Sequence, residues 1–316
     1  MCAHIFFCSG FTSITKFSFI SSNSSFSECV RRYGYRSSLH LISYTLQSNE
    51  CEQDCEGTDL ATQKVILDSS STHAFTLCSW NGCSSTLGGA ICFANQTSSS
   101  LTVDNCLFYN CNSSSSGWAN GGGALHCYNV STVSIQFSSF IKCCATSGCG
   151  GGVNMCDVLH QLYLNNCTFL FCFGKDDGGS AEIWSCNLEE NSLGCKDSRF
   201  ISGLSTGTGD PWAGGLMLWD NNPPLQSSNI IFTNNNSTYG GAYGTNCNVD
   251  SPGYPLRFCF FHNNHGSCGN DVCFNHYISS FETKYFIHCF SSSSINRIGV
   301  VGNSNDYSEW LPLGDI

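Results

Sequence analysis

The densest group of ligand-type side chains in this sequence is His262, His265, Cys268, Cys273 and His276, all within fifteen residues. Imidazole nitrogen and thiolate sulfur are zinc donors, and intervals of two, two, four and two intervening residues suit zinc-site spacing. A second candidate is Asp176-Asp177, the only adjacent aspartate pair in the chain. Paired carboxylates can hold calcium or serve as acid and base in glycoside hydrolysis. A third is the acidic stretch Asn49-Glu50-Cys51-Glu52-Gln53-Asp54-Cys55-Glu56, where Cys51 and Cys55 suit a local disulfide and the carboxylates a weakly held cation. Each has a plainer reading. Asp176-Asp177 runs into Gly178-Gly179 in the manner of a turn, and acidic runs are usually solvated. Whether the His/Cys group converges depends on the elements that carry it.

Composition bounds those elements. With 12 Lys and Arg against 23 Asp and Glu, the net charge is −11. Nucleic acid needs a basic stripe and is excluded as a partner; anionic membrane surfaces are disfavoured for the same reason. The 24 cysteines in 316 residues point to an oxidising compartment. Met1 to Phe17 carries a short apolar patch (Ala3, Ile5, Phe6, Phe7) without a basic leading segment or a cleavage site, and reads as a clipped or divergent start. No run of eighteen apolar residues occurs, so no transmembrane helix is expected. Hydrophobic residues at 41% suffice for a core, while charged residues are only 11%. That balance suits one domain whose surface is built from Ser, Thr and Asn rows instead of charged helix faces.

Internal repetition decides the fold. A Gly pair followed by small or apolar residues recurs at Gly88-Gly89, Gly122-Gly123, Gly151-Gly152, Gly178-Gly179, Gly214-Gly215 and Gly240-Gly241, with a weaker copy at Gly269-Asn270. Alternating with it is Phe-x-x-Cys or Phe-x-x-Asn, anchored at Phe75, Phe108, Phe140, Phe169, Phe232, Phe261 and Phe286, with Phe200/Gly203 filling the remaining slot, at intervals of 25 to 33 residues. From the second Gly to the next Phe the interval stays between 17 and 21, whereas from Phe to the next Gly it ranges from 8 to 14. A fixed strand pair and an elastic loop are the expected parts of each coil.

Gly pairs and Ser/Asn clusters are poor helix material, and Leu101-Thr102-Val103 and Thr132-Val133-Ser134-Ile135-Gln136-Phe137 alternate as strands do. Thirty residues are too few for a four-stranded propeller blade. The sequence predicts an all-β protein, a right-handed parallel β-helix of about eight coils. Residues 1–68 are read as degenerate coils or a cap, 69–291 as the repeats, and 292–316 as a C-terminal cap. Each coil buries its Phe only against the coils above and below. The Gly pair supplies a positive φ at a sharp corner. The Asn or Cys after Phe marks the next corner, Asn as an amide ladder and Cys as a small apolar filler. Cys78, Cys111, Cys143 and Cys172 are expected to form one buried thiol column there.

This alternation of Gly-Gly-Ala-Ile/Leu with Phe-x-x-Asn/Cys, from residue 75 to about 290, resembles the repeats of polymorphic outer membrane proteins. Those repeats occur in chlamydial surface autotransporters and in trichomonad surface proteins, and the Cys- and Ser-rich composition is nearer the latter. The resemblance implies a β-helix displayed on a surface and associated with adhesion.

Parallel β-helices also include pectin-degrading lyases and hydrolases. Arg297-Ile298 is followed by Gly, so the Arg-Ile-Lys signature of polygalacturonases is missing, as are their Gly-His-Gly and Asn-Thr-Asp elements. In a coil of this design Cys273 and His276 follow the Gly269 corner, while His262 and His265 flank the preceding Phe. A strand then separates the two halves of the His/Cys group. The sequence therefore predicts a non-enzymatic surface or secreted protein that engages a host or cell-surface protein or glycan through variable inter-strand loops. No catalytic residue, cofactor or metal is assigned. The alternative is a carbohydrate-active β-helix enzyme, recognisable by carboxylates and Arg or Lys from three or more coils meeting in one groove.

Overall fold

A computed structural model describes residues 72–188, 193–207, 211–221, 226–245, 256–274, 286–293 and 296–301, together with the strands Ala3–Phe6 and Leu41–Tyr44. The chain divides into two units, residues 1–52 with Ile316, and residues 53–315. In the first unit Ala3–Phe6 pairs antiparallel with Leu41–Tyr44. The Phe17, Phe19, Ile20 and Asn23 echo, Cys51 and Cys55, and Trp310 to Leu313 lie outside the described residues.

The second unit is a parallel β-helix. Every strand pair in it is parallel, and no helix occurs among the described residues. Three sheets wrap the core. The longest holds 13 strands and the next holds 8, from Ser79–Asn81 through Phe290–Ser291. A third holds 5, from Ser84–Ser85 to Leu204–Ser205, and is prolonged by single bridges from Leu204 to Asn236 and from Asn236 to His265. Eight rungs make seven full turns.

The corners have a uniform cause. Around each three-residue Phe strand, the residue three before the anchor and the residue two after it both sit at positive φ. Asn105 and Asn110 flank Phe108, Phe137 and Lys142 flank Phe140, and Asn166 and Phe171 flank Phe169. Asn is the residue type that most readily takes this conformation after Gly. A further corner bends the long strands at Asn95, Asn129 and Asp157, where the register between rungs shifts, as between Val130 and Thr132. The glycine corner closes each turn. At Gly150 φ is +64, and an added Cβ would lie 2.2 Å from the Val153 carbonyl oxygen.

The core is built in register. Phe108, Phe140, Phe169, Phe200, Phe232 and Phe261 are fully buried. Their rings stack at centroid separations of 4.7 to 5.2 Å with interplanar angles of 15° or less, the spacing of adjacent strands. Two of the eight expected anchors stand elsewhere. Trp80 heads the stack, 4.5 Å from Phe108, and Phe75 lies on the long sheet opposite Val103. Phe286 likewise pairs with Leu256, and Ser291 occupies the last anchor slot. At both ends the Phe of the Phe-x-x-Cys motif belongs to the strand before the anchor.

The corner row also differs from the paired-Gly reading at two rungs. The positive-φ residue is Gly150, ahead of Gly151-Gly152, and Ala213, ahead of Gly214-Gly215. The elastic segment is not confined to the Phe-to-Gly stretch. Ile91–Asp104, Leu125–Gln136 and Val153–Asn165 run continuously, but later rungs carry the long sheet as two pieces. Ala181–Trp184 and Leu193–Lys196 are the first such pair, and Leu216–Trp219 and Gln226–Ser228 the next.

The slot three residues after each anchor holds Cys83, Cys111, Cys143, Cys172, Gly203, Asn235 and Asn264. Cys78 instead lies one strand earlier and is disulfide-bonded; the other described cysteines are not in disulfides. The substitution of Cys for Asn is chemical as well as steric. Asn235 and Asn264 donate to the carbonyls of Phe200 and Phe232 at 2.9 and 3.2 Å. Cys143 and Cys172 direct their thiols to the equivalent carbonyls of Phe108 and Phe140 at 3.6 and 3.4 Å.

Candidate functional site: the outer face of the long sheet

Side chains alternate across a strand, so in Leu125–Gln136 the core takes Leu125 and Cys127 while His126 and Tyr128 face outward. Register carries that outer row from rung to rung as Cys92, His126, Asn154, Glu182, Met217, Gly244 and Cys273. Two residues further on runs a second outer row of Ala94, Tyr128, Cys156, Trp184 and Trp219. Across the glycine corner a third row comes in from the preceding segment, with Cys149 and then Asp177, Trp212, Tyr239 and Cys268. The tight left-handed corner turns each residue of this row back against the one five positions later. Asp177 thus meets Glu182, Cys268 meets Cys273, and Trp212 packs with Met217.

The polar part of this face is a connected row. His126 Nδ1 lies 3.0 Å from Asn154 Oδ1, and Asn154 Nδ2 donates to Glu182 Oε2 at 2.6 Å. Because the Asn154 amide nitrogen is committed to the carboxylate, its oxygen must accept, so His126 carries its proton on Nδ1. The Cys156 thiol also points at Asn154 Oδ1, at 3.5 Å. Asp177 Oδ1 accepts the Trp212 backbone N–H at 2.7 Å. One ligand atom each from Cys149, Asp177 and Glu182 lies within 4.8 Å of the others.

Burial dominates the electrostatics. His126 and Glu182 are only 2% and 3% exposed. Burial pushes the His126 pKa down to about 4, against a raising effect from its Asn154 bond. Burial likewise raises Asp177 to about 7, opposed by the Trp212 N–H and assisted by the Asp176 charge. Glu182 is pushed well above the usual carboxylate range, first by burial and then by Asp177 beside it. The Cys149 thiol is raised by burial and then by the Glu182 and Asp177 charges. Two carboxylates this close, one buried and one half-buried, do not both stay ionised without a cation. At neutral pH they share a proton or hold a positive ion.

The aromatic part is more open. Trp184 and Trp219 are in-register neighbours, both half-buried. Trp212 meets Trp219 edge-on at 5.9 Å and stacks on Tyr239 at 4.9 Å. The long sheet breaks directly after Trp184 and Trp219, so the separations between its two pieces open at the edge of this aromatic patch.

The residues singled out in the sequence fall as follows. Cys268 and Cys273 come together, with sulfurs 2.8 Å apart. His262 sits on the Phe sheet, its Nδ1 3.0 Å from Ser292 Oγ, and His265 bridges Asn236 through the backbone. His276 lies outside the described residues. Of the aspartate pair, Asp177 enters the outer-face cluster, and Asp176 accepts the Ser205 hydroxyl through its backbone carbonyl at 2.6 Å. Arg297 is buried near Asp271. His126, Cys149, Asn154 and Glu182 were not anticipated. Their signal was positional, because His126, Asn154 and Glu182 each stand four residues after a corner glycine.

These features define a parallel β-helix with a polar and aromatic strip along one outer face. No protein-family model, curated protein or solved structure matches the chain.

Proposed function

We propose that this is a non-enzymatic surface or secreted β-helix that serves adhesion, holding a glycan or a glycan-bearing partner against the outer face of its long sheet. The observation that carries this reading is the half-buried pair Trp184 and Trp219, on consecutive rungs beside the polar row of His126, Asn154 and Glu182. Flat aromatic rings supply apolar area with little conformational entropy to lose, and adjacent polar groups set orientation. A solenoid frame with variable excursions beside such a patch is a means of altering specificity without altering the fold. The repeat resemblance to surface proteins supports the same reading.

The enzymatic alternative has one observation in its favour, the Asp177–Glu182 pair. Both carboxylates come from a single rung, each already accepts a hydrogen bond, and Glu182 is closed to a sugar ring. They serve the fold better than they serve a substrate.

The test is a glycan array probed with the labelled chain and with the Trp184→Ala/Trp219→Ala variant, alongside reducing-end release from a panel of plant and host polysaccharides. Binding lost tenfold or more in the variant, with no sugar release, is the expected result. Equal binding by both proteins would remove the aromatic patch from the function, and turnover abolished by Glu182→Gln would establish the enzyme.

A further inference from the structure

The structure assigns a second role to the buried side of the same face: we propose that Cys149, Asp177 and Glu182 form a site for one zinc-class divalent ion, held by one thiolate sulfur and two carboxylate oxygens. Its ligands are distinct from the Trp184 and Trp219 rings that carry the glycan reading, so each proposal can fail without the other.

Three observations support the site. The donor atoms approach within 4.8 Å of one another across two rungs and a glycine corner, close enough for small side-chain movements to bring all three into one coordination sphere. Glu182 is buried and Asp177 half-buried. No basic side chain among the described residues forms an ion pair with either, and a buried charge without a counter-charge is costly. Finally, Glu182 is oriented in advance, because Asn154 binds one of its oxygens and is itself bonded to His126. That is the support a metal-ligating carboxylate receives from the groups behind it.

The donor set selects the ion. Calcium and magnesium take all-oxygen sites, whereas sulfur with carboxylate oxygen suits zinc and its first-row neighbours. Binding displaces the Cys149 thiol proton and whatever proton the carboxylates share, leaving a site with net charge −1. Such an ion pins two rungs together across the corner from which the aromatic strip starts.

The chain carries other cysteines, so the test is a difference measurement. The full chain, reduced and freed of metal, is titrated with Co2+ and with Zn2+. The titrations are repeated on Cys149→Ser, Glu182→Gln and, as a control, Cys268→Ser. Expected is one Co2+ more per wild-type chain than per Cys149→Ser chain, with a thiolate-to-cobalt charge-transfer band that Cys149→Ser lacks and Cys268→Ser keeps. Affinity should fall at least tenfold in Glu182→Gln. Circular dichroism confirms that each variant is folded, and the wild-type spectrum alone decides should a variant unfold. A wild-type chain that acquires no thiolate-to-cobalt band, or a Cys149→Ser chain that keeps the full stoichiometry and band, overturns the site and leaves a shared proton as the solution for the two carboxylates.

Discussion

Replacing Phe140 by Ala tests the stacked core most directly. The ring is fully buried and lies between Phe108 at 4.7 Å and Phe169 at 4.8 Å, both nearly parallel to it. Truncating a buried Phe costs about 3–5 kcal/mol, the larger values where the cavity cannot collapse. Collapse is blocked here, because Ser139–Ile141 is hydrogen-bonded in register to the rungs on both sides. Two ring pairs are lost as well, each contributing about 0.5–1.5 kcal/mol in coupling measurements, so the expected loss is near the top of the range, about 4–5 kcal/mol. The assay is urea unfolding followed by far-UV circular dichroism, with Phe290→Ala as control. Phe290 is 44% exposed, and its truncation should cost under about 1 kcal/mol. A double-mutant cycle adds a sharper criterion: Phe140 with Phe169 should couple, whereas Phe140 with Phe232, three rungs along, should be additive. A loss below 1 kcal/mol at Phe140, or equal losses at Phe140 and Phe290, would refute a core stabilised rung against rung.

Three further outcomes follow from particular residues. Gly150→Ala should destabilise by at least about 1–2 kcal/mol, the cost of a left-handed L-residue, because its new Cβ also meets the Val153 carbonyl; a Tm unchanged from wild type would show that the corner adapts. In native-state alkylation with peptide mapping, Cys268 should react first, being half-buried and lowered in pKa by the Cys273 thiol. Cys143, buried and raised well above its usual range, should react only after denaturation, and labelling both at one rate would contradict the thiol column. The pH dependence of the metal-free protein has two opposing parts. His126, lowered from 6.5 to about 4, contributes stability above pH 6.5 that is lost as pH falls towards 4, up to about 3 kcal/mol. Asp177, raised from 3.8 to about 7, contributes the reverse, with stability present below pH 3.8 and lost as pH rises through 7. The Cys92, Asn154 and Glu182 side chains share this row with Cys156 beside it, and of these only Glu182 can carry a charge in this window. A His126→Gln variant should therefore gain stability on acidification from pH 7 to 4 by about 3 kcal/mol more than wild type, measured by denaturant titration at each pH. Parallel pH profiles for the two proteins would show that His126 is not the opposing group.

The period of the chain and its all-β character were legible because they rest on local chemistry. Gly at a left-handed corner, Asn or Cys after a buried Phe, and alternation in Leu101-Thr102-Val103 are each decided within a few residues. Those signals established a parallel solenoid and identified the six central Phe anchors. At the ends the same local rule misassigned Phe75 and Phe286. A Phe followed three residues later by Cys looks alike on two successive strands, and only the register with Val103 and Leu256 distinguishes them.

The outer-face site belongs to tertiary structure alone. Asn154 and Glu182 are 28 residues apart, and each by itself is an unremarked polar residue in a strand. They meet because every rung spends one left-handed residue at the glycine corner, and that residue is Gly150 in one rung, Gly178 in the next and Ala213 after that. A shift of one position at any of these corners would turn the outer row inward and replace His126, Asn154 and Glu182 with core side chains. Local sequence determines that a corner exists. Which residues face each other across it depends on the summed register of the rungs, because strand pairing in a parallel solenoid is non-local at every step.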